Sequence, residues 1–356
     1  MKCYLQTFVF LFFLTSCAKV MAPTGGKKDE FPPKLLNVNF NEKKMEEKII
    51  LTFQFDEYIQ LNNFQENIYL SPPPSSKNSI KSQLKGKTIL ITINDTLNRN
   101  TTYNVSLNNC IKDLNEGNIL DSLNYIFSLG DIADTISLSG EIKDAYSLEK
   151  MENTWIMLFE KSVSDSLIFK INPDYIAKSN KNGMFNFPNL KKGDYKICAL
   201  TDYDFIYDAG EKIAFKVNPL AITTDSSVSL NAFNPIITVD SLKKDSLLKD
   251  TNSLDSIKTN IETGNLYINS KNSNSSVFQL LQNKVVIKEF SFANLPFNLL
   301  EVPTGKYQLK HINDINNDGK WNTGNWEKKQ PAEKVTNYPS EIIIRSNWDL
   351  EIEWEI

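Results

Sequence analysis

Apolar side chains recur at every second position over long stretches of this chain, and that alternation limits the folds open to it. Successive side chains of a β-strand point to opposite faces of a sheet, so a period of two predicts strands with one buried face. The clearest runs are Ile49, Leu51, Phe53 and Phe55; Ile89, Ile91 and Ile93; and Tyr103, Val105 and Leu107. Turns containing proline or glycine separate the runs, and no long helical pattern intervenes. The chain is therefore predicted to be all-β and built from tandem β-sandwiches.

The length of 356 residues exceeds the usual size of one hydrophobic core, so two or three domains are expected. The pattern favours three sandwiches, at residues 34–130, 134–238 and 264–356. Residues 239–263 are rich in Ser, Asp, Lys, Asn and Thr and predict a linker between the last two. A net charge of -4 with 23% charged residues provides no basic stripe, so we predict no nucleic-acid partner.

The first sixteen residues have the features of a lipoprotein signal peptide. Lys2 precedes a short apolar run that ends at Leu14-Thr15-Ser16-Cys17. The run is far shorter than the roughly 20 apolar residues of a membrane-spanning helix, and no later segment approaches that length. We predict cleavage before Cys17, acylation of its thiol, and attachment to a membrane through this lipid anchor alone. A flexible tether over residues 17–33 would follow the anchor.

The tether contains a segment of four charged residues, Lys27-Lys28-Asp29-Glu30, called here the charged step. A lysine followed by acidic residues after a lipidated cysteine resembles the surface-export signal of lipoproteins in the Bacteroidetes lineage, although the spacing from Cys17 is longer here. Ala18 rather than Asp follows the cysteine, which disfavours retention in the inner membrane. We expect a lipid-anchored protein of the outer membrane, facing the cell surface in preference to the periplasm.

Four segments of the first sandwich form a recognisable set. They are Ile50-Leu51-Thr52-Phe53-Gln54-Phe55-Asp56-Glu57-Tyr58-Ile59, Asn67-Ile68-Tyr69-Leu70-Ser71-Pro72, Thr101-Thr102-Tyr103, and Lys112-Asp113 through Gly117-Asn118. Together they resemble a bacterial Ig-like domain of the surface-layer type, over about the first third of the mature chain. The resemblance implies an Ig-like sandwich at residues 34–130.

The second and third sandwiches share an internal repeat that chance does not easily produce. Phe185-Asn186-Phe187, Leu190, Gly193-Asp194-Tyr195-Lys196-Ile197, Asp202 and Asp204 match, in the same register, Phe297-Asn298-Leu299, Val302, Gly305-Lys306-Tyr307-Gln308-Leu309, Asp314 and Asn316. Each copy predicts a strand, a glycine turn, a second strand and an acidic loop. The pattern resembles prealbumin-like and carboxypeptidase-regulatory-like β-sandwich modules of secreted bacterial proteins. That resemblance implies accessory modules without an active site.

The acidic loop of the third sandwich has the composition of a calcium loop. Asp314, Asn316 and Asp318 place oxygen ligands at alternating positions before a glycine, and the Lys320 carbonyl and Asn322 would add others. A closing glutamate is missing and no flanking helices are predicted, so any site would resemble the weaker calcium loops inside extracellular β modules. The alternative is an Asx-rich turn in which the same side chains bond their own backbone.

The corresponding loop of the second sandwich is a further candidate cation site. It contains Asp202, Asp204, Asp208 and Glu211, but it lacks the glycine that makes the sharp turn. The alternative is a solvated acidic loop at the rim of the sandwich.

The sequence predicts no enzyme. His311 is the only histidine, and it lies in a predicted strand at a sheet rim, without a nucleophile motif such as GxSxG elsewhere. One histidine also cannot supply a histidine-rich metal site. Cys110 and Cys198 fall in different sandwiches, so we predict buried free thiols rather than a disulfide.

Three short triplets in the linker are candidate modification sites. They are Asp240-Ser241-Leu242, Asp245-Ser246-Leu247 and Asp255-Ser256-Ile257. They resemble the acceptor for O-linked glycans in exported proteins of the Bacteroidetes lineage, with Ser241, Ser246 and Ser256 as the acceptors. Chance matches to so short a motif are the alternative.

The whole chain resembles Ig-like-domain lipoproteins of the Bacteroidetes. This implies a non-catalytic, membrane-anchored scaffold that contacts a protein or glycan partner in the cell envelope. A carbohydrate- or peptidoglycan-binding accessory is the alternative, because Trp321 and Trp326 flank the acidic loop and exposed tryptophans stack on sugars. Trp348 and Trp354 share one face of the last predicted strand, which favours the core.

Overall fold

Strands account for nearly all of the regular structure in the chain. A computed structural model describes residues 26–43, 48–130, 134–202, 204–208, 210–235, 262–269, 276–292 and 297–356. These residues form three two-sheet sandwiches, named here unit 1 (residues 26–130), unit 2 (134–235) and unit 3 (262–356). The predicted all-β fold of tandem sandwiches is confirmed.

Unit 1 is an antiparallel sandwich with one short helix. Its elements are β1 (Leu35–Lys43), β2 (Lys48–Phe55), β3 (Ile59–Leu61), α1 (Phe64–Asn67), β4 (Ile68–Ser71), a 3-10 turn (Lys77–Ser79), β5 (Ile80–Lys85), β6 (Thr88–Asn94), β7 (Thr102–Leu107), β8 (Ile111–Asp113), β9 (Ile119–Leu120) and β10 (Asn124–Ser128). The main sheets have the orders β1-β2-β6-β5 and β10-β7-β4, and β3-β8-β9 forms a small third sheet. All ten apolar residues of the three alternating runs, from Ile49 to Leu107, are buried in the core of this unit.

One carboxylate organises the turn between β8 and β9. Asp113 accepts hydrogen bonds from the backbone N–H groups of Glu116 (2.6 Å), Gly117 (2.8 Å) and Asn118 (2.8 Å). Burial opposes ionisation of this carboxyl group, yet these N–H groups hold its pKa below the ordinary value. Gly117 has φ = 80°, a conformation that other residues rarely adopt. The turn segment of the Ig-like motif is thus fixed by hydrogen bonds to Asp113.

The boundaries of the predicted tether and linker differ slightly from the structure. The Asn118 amide donates to the carbonyl oxygens of Asp29 (3.0 Å) and Phe31 (3.1 Å), so the end of the predicted tether lies against unit 1. The first strand of unit 3 begins at Thr263, the last residue assigned to the linker. Residues 236–261 of the linker lie outside the described residues.

Units 2 and 3 repeat one strand plan. Unit 2 contains β11 (Ile136–Asp144), β12 (Trp155–Glu160), β13 (Tyr175–Lys178), β14 (Met184–Leu190), β15 (Gly193–Leu200), β16 (Ile213–Phe215), β17 (Leu220–Ile222) and β18 (Ser226–Ala232). Unit 3 contains β19 (Thr263–Asn269), β20 (Ser276–Gln282), β21 (Val285–Phe292), β22 (Phe297–Pro303), β23 (Gly305–Asn313), β24 (Val335–Asn337), β25 (Ile342–Ile344) and β26 (Asp349–Glu353). The sheets are β14-β11-β18 and β13-β12-β15-β16 in unit 2, and β22-β19-β26 and β21-β20-β23-β24 in unit 3.

Finer details of the two units also coincide. The first strand of each unit pairs in parallel with the last, β11 with β18 and β19 with β26. That first strand also has an antiparallel partner, β14 for β11 and β22 for β19, and each of these pairings contains a register shift. The hydroxyl of Tyr195 donates to the Lys191 carbonyl (2.8 Å), and that of Tyr307 donates to the Pro303 carbonyl (2.9 Å). The internal repeat in the sequence is therefore a repeat of topology as well.

The larger sheet of unit 2 is covered on both faces. Ile156 and Leu158 of β12 face the core of unit 2, whereas Trp155, Met157 and Phe159 lie in a second cluster on the other side. This interunit cluster comprises Tyr69 of unit 1; Ala145, Trp155, Met157, Phe159, Ile168, Phe169, Ile176, Cys198, Leu200, Phe205, Ile213, Phe215 and Phe233 of unit 2; and Val277, Ile312, Trp321 and Val335 of unit 3. Unit 2 thus packs against both of its neighbours through apolar side chains.

The two described cysteines are buried free thiols, as predicted. Cys110 lies in the core of unit 1 and Cys198 in the interunit cluster. Burial raises the pKa of each thiol to about 12, so both stay protonated at neutral pH.

Candidate functional site

The acidic loop of unit 3 closes on its own backbone. The buried Asp314 carboxylate accepts hydrogen bonds from the N–H groups of Asp318 (3.2 Å) and Gly319 (2.9 Å). Asn316 Oδ1 also accepts from the Asp318 N–H (3.2 Å), and Asp318 Oδ1 accepts from the Lys320 N–H (2.9 Å). This is the Asx-turn arrangement that the sequence left open as the alternative to a calcium loop.

Two further side-chain oxygens of the loop remain. One accepts hydrogen bonds from side-chain amides, and the other has no hydrogen-bond partner. Asp318 Oδ2 accepts from the side-chain amides of Asn316 (3.1 Å) and Asn322 (2.9 Å). Partial desolvation opposes ionisation of the exposed Asp318 side chain, but these amides and the Lys320 N–H hold its pKa below the usual range. Asn322 Oδ1 is buried without a hydrogen-bond partner, which leaves one oxygen available to a cation. Within the described residues, no group of three or more His, Cys, Asp or Glu side chains is placed to hold a metal ion. Calcium binding stays a prediction.

Glu333 holds this loop in place, although no sequence motif singles it out. The residue is 5% exposed, and its carboxylate accepts hydrogen bonds from the N–H groups of Ile315 (2.9 Å) and Asn322 (3.0 Å). Burial, together with the charge of Asp314, raises the pKa of Glu333. The repeat contains the signal that identifies it, because Glu333 precedes β24 by two residues as Glu211 precedes β16.

The acidic loop of unit 2 uses its glutamate in the same way. Glu211 Oε1 accepts from the N–H (2.8 Å) and hydroxyl (2.9 Å) of Thr201 and from the Asp202 N–H (3.1 Å). The Asp208 N–H lies 3.5 Å from Glu211 Oε2. Burial, followed by the neighbouring Asp204 and Glu211, raises the pKa of Asp202 to about 6. The four predicted residues share one loop, and Glu211 serves there as an acceptor for backbone groups.

Trp321 and Trp326, which the alternative of a carbohydrate-binding accessory requires to be exposed, instead join units 2 and 3. Trp321 is 7% exposed, and its ring centre lies 5.0 Å from that of Tyr146. Trp326 is half-buried between Phe169 (5.0 Å) and Phe215 (5.1 Å) of unit 2. The loop of unit 3 covers the outer face of unit 2, and the two indole rings fill the contact. They offer no open face for stacking on a sugar.

The other two C-terminal tryptophans lie in different environments. Trp354 is buried in the core of unit 3, as predicted. Trp348 is 62% exposed, because β26 begins one residue later, at Asp349, and Trp348 lies in the preceding turn. The prediction that both pack in the core is therefore wrong for Trp348.

A buried polar contact completes the junction of units 2 and 3. Lys310 of β23 is 4% exposed, and its ammonium group donates to the Tyr146 carbonyl (2.9 Å) and lies 4.1 Å from the centre of that ring. The Tyr146 hydroxyl donates to Gln279 Oε1 (3.0 Å). Burial lowers the pKa of Lys310 to about 8, with the charge of Asp144 opposing. Apolar and polar contacts together fix unit 3 on unit 2.

Unit 1 joins unit 2 through a smaller junction. Tyr69 packs edge-on against Trp155 with ring centres 5.3 Å apart. The Lys178 ammonium group lies 5.3 Å from the centre of the same indole ring. The Ile176 N–H of β13 donates to Ser71 Oγ of β4 (3.0 Å), so backbone as well as side chains cross the junction.

His311 is buried within β23 rather than at a sheet rim, because Phe278 and Trp354 cover its ring. Its Nε2 lies 2.9 Å from Ser276 Oγ, and its Nδ1 is buried without a hydrogen-bond partner. Burial lowers the pKa of His311 to about 4, so the ring is neutral at pH 7. A catalytic serine–histidine pair needs a carboxylate on the far nitrogen and access for a substrate. This pair has neither.

Several predicted residues lie outside the described part of the chain. They are the lipidation site Cys17 and the glycosylation candidates Ser241, Ser246 and Ser256. Lipidation and glycosylation therefore stay predictions. In the part that is described, no helix combines the length and the apolar character needed to cross a membrane.

Residues 29–128 match the family model of the bacterial Ig-like domain. The match covers unit 1, where the sequence motifs resemble that family. The lipoprotein character, the surface-layer subtype and the lineage stay resemblances. A search of curated proteins finds no match to the chain.

Solved structures similar to this chain include two pilins and a macroglobulin. A variant of the major pilin subunit of Bacillus cereus is 12% identical, with 52% of this chain and 64% of that chain covered and a TM-score of 0.19. The streptococcal ancillary pilin is 10% identical (77% and 80% covered, TM-score 0.19). Native alpha-2-macroglobulin from Escherichia coli is 13% identical (86% and 96% covered, TM-score 0.22). The chain spans less than two thirds of the Bacillus pilin, and scores this low support no functional argument.

Proposed function

We propose that this protein is a non-catalytic, lipid-anchored scaffold of the cell envelope, which presents the faces and loops of its sandwiches to a protein or glycan partner. The observation that carries the proposal is the interunit cluster, which contains apolar side chains from all three units. The Ig-like family match of unit 1 supports the proposal at the level of the fold, since an Ig-like sandwich clusters its loops at its two ends, where a partner can contact them.

Rigid packing between units suits a scaffold. Domains joined only by linkers move independently, whereas a large apolar interface suppresses that motion. Here Tyr69 of unit 1 and Trp326 of unit 3 both pack on unit 2. An array held in this way keeps the faces of the sandwiches in a fixed arrangement relative to the anchor.

The anchor belongs to the same proposal. Acylation of Cys17 would hold the chain on the outer membrane, and the charged step at residues 27–30 favours display at the cell surface in a bacterium of the Bacteroidetes lineage. O-linked glycans at Ser241, Ser246 and Ser256 would shield the segment between units 2 and 3 from proteases.

Labelling in cells tests the anchor. We expect the full chain, expressed in a Bacteroidetes host with a C-terminal epitope, to incorporate an alkyne-tagged fatty acid and to sediment with outer membranes. Cys17→Ser is the matched control and should lose both properties. Protease added to intact cells should remove the epitope if the protein faces outward. Equal labelling of the two proteins, or release of the parent into the soluble fraction, would contradict lipidation at Cys17.

Cross-linking in cells tests the scaffold role separately. A lysine-reactive reagent applied to intact cells should yield a discrete higher-mass species that contains the protein and one recurrent envelope component. A protein that stays uncross-linked at all reagent concentrations would contradict a stable scaffold contact.

A further inference from the structure

A groove runs between units 1 and 2. It consists of two adjoining cavities of about 450 Å³ and about 350 Å³. Tyr69, Asn108, Ser122, Lys178 and Asn180 line both cavities, so the two are continuous. Each volume falls in the range of about 300–1,000 Å³ that is typical of small-molecule sites. Because one wall comes from each unit, the Tyr69–Trp155 contact also fixes the width of the groove.

Asparagine is the most frequent residue type in the lining of this groove. Asparagine makes up 41 of the 356 residues of the chain. In contrast, five of the twelve residues that line each cavity are asparagines. A primary amide presents two donors and an acceptor without carrying a charge. Such a lining matches a ligand with many neutral donors and acceptors.

Several of these amides are open to a ligand. Asn109, Asn153 and Asn186 are exposed, and their side chains make no hydrogen bond within the described residues. The formal charges of the lining cancel, because the larger cavity contains two lysines, Lys178 and Lys181, and two carboxylates, Asp121 and Glu152. The groove therefore favours neither an anionic nor a cationic ligand.

One buried oxygen of the lining lacks a hydrogen-bond partner. Asn104 is 4% exposed and lines the smaller cavity, where its amide nitrogen lies 3.4 Å from Asn124 Oδ1. Its Oδ1 has no partner. A buried acceptor without a partner destabilises the empty state, and a hydroxyl group that donates to it would remove that cost.

The smaller cavity also has an apolar rim. Met184 is 45% exposed there, and Pro188 is also part of the lining. The C–H face of a pyranose ring packs on apolar surface of this kind while its hydroxyl groups bond to amides.

We propose that the groove between units 1 and 2 binds a neutral oligosaccharide. Sugar hydroxyl groups pair with the asparagine amides, and one ring packs on Met184. The site is distinct from the tryptophan pair that the sequence suggested, which is used in the junction of units 2 and 3. The inference rests on the proposed function, whose glycan partner it specifies, but it does not depend on lipidation, and failure of sugar binding would leave the labelling and cross-linking tests of the scaffold unaffected.

Calorimetry on the chain from Ala18 onward tests the proposal. The probes are hexasaccharides of β-1,4-glucose, α-1,4-glucose and β-1,4-N-acetylglucosamine, with hexagalacturonate as an acidic comparison. We expect saturable binding of at least one neutral probe. The variant Asn186→Ala/Asn153→Gly removes two open amides, and glycine suits the positive φ of 57° at position 153. At about 1 kcal/mol for each lost hydrogen bond, binding should weaken roughly tenfold or more.

Matched positions outside the groove provide the control. Asn298 occupies in unit 3 the register position that Asn186 has in unit 2, and Asn347 has a positive φ of 56°. Asn298→Ala/Asn347→Gly should bind as the parent does. Absence of heat with every neutral probe, tighter binding of hexagalacturonate, or equal weakening in both variants would overturn the proposal.

Nuclear magnetic resonance tests the proposal without any substitution in the chain. Methyl-labelled methionine gives a resonance for Met184 at the groove and one for Met157, which is fully buried. Saturating oligosaccharide should shift the Met184 methyl signal and leave that of Met157 in place. An unmoved Met184 signal under saturation would also overturn the proposal.

Discussion

A buried imidazole makes the stability of unit 3 depend on pH. Burial lowers the pKa of His311 from 6.5 to about 4. Between these two values the unfolded chain binds a proton that the folded chain does not, so folding becomes less favourable as the pH falls through this window. The full effect approaches about 3 kcal/mol. Above pH 6.5 the ring is neutral in both states and the contribution is constant.

Replacing this side chain should remove the dependence. We expect His311→Gln to show a smaller loss of unfolding free energy between pH 6.5 and pH 4.5 than the parent, as measured by urea denaturation. Asp202 has a pKa raised to about 6, which gives an opposite slope below that pH. That slope is common to both proteins and cancels in the difference. If the unfolding free energies of the two proteins fell equally with pH over this window, the result would contradict a buried neutral histidine.

At the scale of elements, the alternation of apolar and polar residues predicts a strand best where one face of its sheet packs on a core and the other face is exposed to solvent. The residues Ile89 and Ile91 of β6 are buried as predicted. In β12 five consecutive residues, Trp155 to Phe159, are buried because both faces of the sheet are covered. Such a run indicates a strand buried on two sides, but the period does not reveal which unit covers the second face.

Features built from distant segments escape sequence patterns. The topology of units 2 and 3 was predictable because the repeat preserves local spacing. The position of Glu333 is contained in the repeat, as its spacing before β24 matches that of Glu211 before β16, but its hydrogen-bond partners Ile315 and Asn322 are brought to it only by the loop closure. Trp326 was misassigned because its environment is supplied by Phe169 and Phe215, far earlier in the chain. The neutral groove likewise exists only where two units meet.

The acidic loop of unit 3 should depend on its glutamate. Glu333→Ala leaves two backbone N–H groups without their acceptor, so we expect a loss of about 1–3 kcal/mol in the free energy of unfolding. Hydrogen exchange at Ile315 and Asn322 should accelerate as well. Glu327→Ala, at an exposed position of the same segment, is the control and should stay within about 0.5 kcal/mol of the parent. Unchanged exchange in Glu333→Ala would show that the carboxylate does not hold the loop.

Calcium should bind the same loop weakly. We expect a dissociation constant of about 10⁻⁴–10⁻³ M, as in the calcium sites of extracellular modules. We expect saturable heat in a calcium titration and a rise in melting temperature. Asp318→Asn keeps the size of an exposed side chain while removing its charge, and Asp314→Ala/Asp318→Ala removes both carboxylates. Binding should weaken in the first variant and vanish in the second. If none of the three proteins released or absorbed heat on calcium binding, the loop would be an Asx turn and not a calcium site.

At the scale of the whole molecule, the junction of units 2 and 3 should make their unfolding cooperative. Trp326→Ala removes an indole ring that contacts Phe169 and Phe215, so we expect a loss of roughly 2–4 kcal/mol. Unit 3 should then unfold in a separate, earlier calorimetric transition.

The exposed Trp348 supplies the matched comparison. Trp348→Ala should leave both the number of transitions and their temperatures unchanged, since this ring is 62% exposed. An unaltered single transition in Trp326→Ala would mean that the two units are not coupled through this ring.

The parallel pairing of β26 with β19 has a consequence for the order of folding. A chain that is exported amino end first exposes β11 to β18 before β19, so β18 can pair with β11 and close unit 2 before unit 3 is complete. The edge of β19 stays unpaired until Asp349 and the residues after it have emerged. Two units of the same topology could otherwise exchange their closing strands. The order of emergence therefore lets each unit acquire its own last strand.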